Sequence, residues 1–317
     1  MNRNPGVRPI VEGAFLALIT AMLGVLAVYF LPLKFLVDYV WGIPIIIIIK
    51  KYGLRVGTLT LMTTFFLTWI FTDPVTTTVL LVQLAPLALA YGLLFKYEIP
   101  PGTVLLTGSV VCILSTGLAV LGFIYIAGVD LIPSEQFFRD QAAQIADLYT
   151  KYGVMNAAQS KAYAQSMTKL VVTLIPSMLA VGAVVRAFIT YLITVKVFRK
   201  LNYRVNSLPP FSEWTLPWYS IWLVIAGLGL SLIGDQYRLH TLAVIGKNIV
   251  FLVLPLFFII GLAVVVNFFR SWQIPRWMKI VLVILIFINL GGALVLLTII
   301  GLFDPVVSFR KRKVPRD

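Results

Sequence analysis

The chain has 317 residues, 60% of them hydrophobic and only 12% charged, with a mean hydropathy of +0.97. That balance excludes a water-soluble globular class, because too little polar side chain is present to cover a soluble surface. Lysine and arginine number 26 against 12 aspartate and glutamate, a formal charge of +14. No basic stretch alternates with base-stacking aromatics, so the cations read as topology signals and lipid-headgroup contacts, and no nucleic-acid partner is expected.

Residues 11–31, 170–191, 248–268 and 280–303 form long apolar runs. Each meets the roughly 20 residues a helix needs to cross about 30 Å of hydrocarbon. They lack the alternation of barrel strands, so helices are expected. The expected fold is an all-α integral membrane protein, a polytopic bundle of about 8–9 transmembrane helices with an external amphipathic helical insertion.

In chain order, a basic start (Arg3, Arg8) precedes span one at 11–31, read as uncleaved. Span two, 35–49, is short and carries Asp38, Trp41, Gly42 and Pro44. Lys50, Lys51 and Arg55 mark a cytoplasmic turn before span three at 56–72. Span four, 77–95, contains Gln83 and Pro86, and span five covers 102–128. Residues 129–169 are polar, and Phe138, Ala142, Ile145, Tyr149 and Tyr152 share one helical stripe. Pro133-Ser134 is a start signal and Gly153 a stop. This segment is either a spacer or a lid over an external cavity.

Span six, 170–195, holds Pro176 and Arg186 and ends in Lys196, Arg199, Lys200 and Arg204. The proline-rich stretch 206–218 is the best internal boundary and divides a domain at 1–205 from a C-terminal region at 206–317. Spans seven, eight and nine follow at 217–234, 243–268 and 280–303, and a basic tail, Arg310–Lys313, comes last. The positive-inside rule puts the N-terminus on the cytoplasmic side of the cell membrane, but nine spans would leave that tail outside. A miscounted short second span is one resolution of that conflict.

Arg186 is the strongest candidate site residue. It lies ten residues from the next cation, too far to snorkel, so it should face a cavity or pair inside the bundle. Asp38 is the candidate partner by type, and a structural ion pair competes with ligand binding. Asp38, Trp41 and Gln83 join Arg186 as candidate substrate-binding residues, because interrupted helices at membrane depth line cavities. Gly13, Ala17 and Ala21 repeat at spacing four and present a small-residue face for a partner helix or for internal packing. Cys112 is expected to be a buried structural thiol, and His240, the sole histidine, a solvated loop residue. No GxSxG, HExxH or phosphate-cradling GxxxxGK[ST] occurs, so no catalytic residues, metal ligands or cofactor are expected.

Glu12-Gly13-Ala14, Gly42-Ile43-Pro44, the run Pro209 to Pro217, Gly261-Leu262-Ala263, Gly301-Leu302-Phe303-Asp304 and Phe309-Arg310 resemble the YybS-like family of uncharacterised bacterial membrane proteins. The first ~200 residues also resemble the S components of energy-coupling-factor transporters, six-helix substrate-binding proteins. That second resemblance implies that Ala17 and Ala21 dock a transmembrane coupling subunit with its ATPases, and that Pro44 lies in a short helix after a gating loop. This chain departs from it in a short first loop and three extra C-terminal spans. The expected function is a membrane-embedded substrate-binding subunit of a small-molecule uptake system. The rival is a membrane scaffold that organises envelope or signalling proteins.

Overall fold

A computed structural model describes residues 6–127, 134–271, 275, 277–278 and 289–307. The first five residues, the chain after 307 with its basic tail, and most of the first half of expected span nine lie outside the described residues. Among the described residues the regular structure is helical throughout. The chain groups into two compact units, Met1–Ser134 with Leu179–Ser207, and Glu135–Met178 with Leu208–Asp317. The amphipathic segment thus groups with the C-terminal spans, whereas the sequence division at 205 places it with the N-terminal ones.

The first unit contains α1 (Val7–Tyr29), α2 (Leu31–Val40), α3 (Ile43–Tyr52), α4 (Leu54–Phe71), α5 (Pro74–Lys96) and α6 (Pro101–Gly122). It also takes the second part of α8 (Ala157–Lys200). The second unit contains α7 (Glu135–Lys151), the first part of α8, α9 (Ile221–Gln236), α10 (His240–Ser271) and α11 (Leu290–Val307). Among the described residues eight stretches are long and apolar enough to cross a membrane, and α2 and α3 together make one of them, Leu31–Tyr52. Many of their leucines, isoleucines and phenylalanines stay exposed, as lipid-facing side chains do. This is an all-α, multi-pass membrane protein.

The break between α2 and α3 follows from Pro44, which has no N–H to give the Val40 carbonyl one turn back. Trp41 and Gly42 form the joint, and a Cβ on Gly42 would lie 2.9 Å from the Ala88 methyl of α5. Helix starts are built into the sequence. The Asp73 carboxylate caps α5 by accepting the Thr76 N–H at 2.8 Å, with Pro74 next to it. Hydrogen bonds from Thr76 hold that carboxyl below its usual range. The cap is therefore intact above the unfolded pKa and is lost only as pH falls through the lower folded value. Asn156 and Gln159 exchange side-chain and backbone hydrogen bonds at 2.8 and 3.0 Å, a capping box that opens α8.

At 44 residues α8 is about 66 Å long at 1.5 Å per residue, far more than the hydrocarbon layer requires. The expected span at 170–195 is its middle, and its first turns come from the polar segment at 129–169. α7 stops at Gly153, whose φ of 69° lets Val154 and Gly153 bond back to Tyr149 and Thr150. Its buried seam is Ala142 and Ala146 against Ala164 of α8, while Ile145, Tyr149 and Tyr152 of the expected stripe stay on the surface. Small residues let the two backbones approach, and that contact sets which face turns inward.

α10 and α11 cross where glycine is obligatory. A Cβ at Gly261 would collide with the Leu297 carbonyl, and one at Gly301 with the Phe257 carbonyl. Gly261→Leu is expected to destabilise the protein by about 1–3 kcal/mol through overpacking. Thermal unfolding in detergent should show the loss, and an unchanged midpoint would mean the crossing is not this close.

Candidate functional site

Arg186 sits in the second part of α8, about 15 Å along the axis from Lys196 at 1.5 Å per residue. It is 6% exposed. Its Nε donates to Cys112 Sγ at 3.1 Å and its Nη2 to Thr116 Oγ1 at 2.6 Å, both on α6. Thr116 and Ser115 in turn bond the Cys112 carbonyl at 2.7 and 3.1 Å, so the acceptors are fixed to their own helix. A guanidinium has five N–H donors, and its two contacts here are with neutral groups. Among the described residues no carboxylate lies within 4.0 Å of it.

The direct ion pair expected between Asp38 and Arg186 is therefore not formed. Asp38 is half-buried on α2, within electrostatic range of both Lys34 and Arg186. The contact of α2 with α8 is made one turn further on, where Thr190 Oγ1 donates to the Tyr39 carbonyl at 3.0 Å. Gln83 joins the same neighbourhood through its backbone, since its carbonyl accepts Ser115 Oγ at 3.1 Å. Trp41 is separate. It is fully buried in the α1–α2–α5 core with Ala27, Val37, Leu80, Leu84 and Ala85. Its indole N–H has no hydrogen-bond partner among the described residues.

Gly13, Ala17 and Ala21 are buried within the chain itself. α4 covers them, with Thr64 Oγ1 3.4 Å from the Ala17 carbonyl and a Cβ on Gly13 only 2.8 Å from Thr60 Oγ1. Their face packs internally, which is the bland alternative the spacing allowed.

Sequence spacing gives no sign of the aromatic layer next to Arg186. Tyr91 Oη donates to the Ala187 carbonyl at 2.9 Å, and its ring packs over Gly108. Phe95 stacks on Tyr191 at 5.6 Å, with Phe198 edge-on at 5.3 Å. Two cavities among the described residues stand out, and neither is lined by Arg186, Asp38, Trp41 or Gln83. One of about 340 Å³ lies at the basic end of the first unit. The other, of about 830 Å³, lies in the second unit between α7 and α8, and exposed His240 lines it.

A family model described as "Predicted membrane protein (DUF2232)" matches residues 18–305. The chain belongs to this family. Among curated proteins it is similar to "Uncharacterized protein YybS" of Bacillus subtilis (strain 168), at 23% identity over 290 residues, 89% of this chain and 91% of that one. No solved structure matches the chain. The motifs that signalled the family are structural anchors in this member. Gly261 and Gly301 form the α10–α11 crossing. Ser212 of the proline-rich run accepts Arg270 Nη1 at 3.1 Å, and Glu12 pairs with Arg8 and Lys51.

A buried charge kept for stability differs in one respect from a charge kept for a ligand. A buried guanidinium without a counter-charge carries a desolvation cost that an apolar side chain of similar volume does not. Arg186→Met should therefore leave the unfolding midpoint in detergent unchanged or higher. A drop of several degrees would make Arg186 a structural residue.

Proposed function

We propose that this protein is the ligand-capturing membrane component of an uptake system for small anionic molecules. The observation behind this reading is a deeply buried guanidinium held, among the described residues, by a thiol and a hydroxyl and by no carboxylate. Charges at membrane depth persist where they face a pathway or a partner of opposite sign. A carboxylate or phosphate of the ligand would complete the donor set of Arg186, with Asp38 and Gln83 close by to discriminate among ligands. Trp41, walled into the core, contributes support and not contact.

On this reading the chain performs no covalent chemistry. Energy for transport would come from a separate ATPase-bearing subunit, as no nucleotide-binding motif occurs in the sequence. Since the face of Gly13, Ala17 and Ala21 is covered by α4, such a subunit would dock elsewhere on the bundle. The basic helix ends would face the cytoplasm, following the positive-inside rule, and the protein would lie in the cell membrane.

Mass spectrometry of small molecules released from protein purified gently from its native membrane tests the reading. A stoichiometric, water-soluble anion should be released from the native protein and be missing from Arg186→Met. Recovery of the same compound from both would remove Arg186 from the site. Release of lipid alone, alongside co-purifying proteins, would favour the scaffold role.

A further inference from the structure

The smaller cavity, at the ends of α5, α6 and α8, lies apart from Arg186 and is built from different residues. Phe95, Glu98, Tyr191, Arg199, Arg204 and Asn206 line it. Two of its borders are helix ends of the same design. α5 ends with Glu98 at φ 55°, where Ile99 and Glu98 bond back to Leu94 and Phe95. α8 ends with Asn202 at φ 58°, where Tyr203 and Asn202 bond back to Phe198 and Arg199. Glycine or asparagine is the usual choice at this left-handed position. A glutamate there carries backbone strain, and Glu98 lines the cavity.

The walls are tied together. Asn206 Nδ2 donates to the Glu98 carbonyl at 3.3 Å, and Tyr191 Oη donates to the Asn206 carbonyl at 3.3 Å. Behind them Lys50 Nζ bonds the Phe95 carbonyl at 2.8 Å and lies 5.5 and 5.8 Å from the Phe198 and Tyr203 ring centres. The result is a cavity of about 340 Å³ with one aromatic side, two exposed guanidinium groups and one carboxylate. It lies at the ends of three helices that are long and apolar enough to cross a membrane.

We infer that this cavity binds the headgroup of a glycerophospholipid, a monoanionic phosphodiester that also carries hydroxyl groups. Arg199 and Arg204, with Lys50 behind them, outnumber Glu98, so the site selects an anion. Arginine forks suit phosphate oxygens, and the Glu98 carboxylate accepts hydrogen bonds from headgroup hydroxyls. Phe95 and Tyr191 supply the apolar side that a lipid's glycerol backbone needs and an inorganic ion does not.

The test is thermal unfolding of the full-length protein in neutral detergent, titrated with short-chain phosphatidylglycerol, phosphatidylcholine, glycerol phosphate or inorganic phosphate. Saturable stabilisation by phosphatidylglycerol alone is expected. Arg199→Ala and Arg204→Ala should each weaken it about tenfold, the scale of one lost charge-assisted hydrogen bond. Glu98→Gln should keep lipid binding but narrow the preference for phosphatidylglycerol over phosphatidic acid. Equal stabilisation by phosphatidylcholine would overturn the proposal, as would an unmoved midpoint with every lipid. A response to glycerol phosphate or inorganic phosphate as strong as that to the lipid would transfer the site to a soluble phosphate compound and overturn the lipid assignment. If an alanine variant does not fold, lipid retained by the native protein in native mass spectrometry decides the case, with phosphatidylglycerol expected and none retained as the contrary result. The outcome is separable from Arg186, because Arg199→Ala should still release the water-soluble anion that the native protein carries.

Discussion

A guanidinium inside a membrane bundle must be solvated by the protein, since the surrounding lipid offers no hydrogen bonds. Arg186 is solvated sparingly, by Cys112 Sγ and Thr116 Oγ1 on one neighbouring helix. Much of the first unit is arranged around that contact. α6 must lie against α8 for it to form, and Tyr91 of α5 reaches across to the Ala187 carbonyl to brace the same turn. The tyrosine fits because Gly108 of α6 has no side chain where the ring lies. α2 reaches α8 one turn further on, through Thr190 and the Tyr39 carbonyl. Four helices thus meet around one charge, and the bonds that place them involve backbone carbonyls that only short polar or aromatic side chains could reach.

The rest of that unit grades from this interior toward a basic end. Lys51 of α3 pairs with Glu12 of α1, and a Cβ on Gly53 would meet Lys96 of α5, so those three helix ends share one side. Tyr29 of α1 bonds the Phe71 carbonyl of α4 on the opposite side. Between Arg186 and the arginines beyond Phe198 lies a layer of packed rings, Tyr91, Phe95, Tyr191 and Phe198. Such rings are apolar in the body and polar at the edge, which suits a boundary between hydrocarbon and headgroup depth. Small residues do the corresponding work in the second unit, where Gly227, Gly234 and Gly246 bring α9 and α10 together and Gly261 and Gly301 join α10 to α11.

Much of this was legible in the sequence. Long apolar runs bounded by cations gave the spans, and Pro44 with Gly42 gave the interruption in the second. Those signals are local and follow from backbone chemistry and transfer energy alone. Arg186 stood out because a charge in an apolar run has no local explanation. Its partners did not, since Cys112 and Thr116 are 74 and 70 residues away and carry no spacing that marks them. The small-residue face of α1 signalled close packing correctly, yet a glycine-alanine repeat does not say whether the approaching helix is its own α4 or a partner. The stripe on α7 included Ala142 of the buried seam but missed Ala146, for a related reason. Large apolar residues dominate a periodicity count, but the alanines fixed the contact with α8.

The central claim is that Arg186 is kept in the membrane interior to meet a foreign anion and not a protein carboxylate. The most direct measurement is a density map of the protein taken from its native membrane, at a resolution that separates side chains from bound molecules. The account predicts density for an anion within hydrogen-bond distance of the Arg186 guanidinium, with Cys112 and Thr116 still in contact. A map that shows the Asp38 carboxylate in a direct ion pair with Arg186, and nothing else beside it, would contradict it.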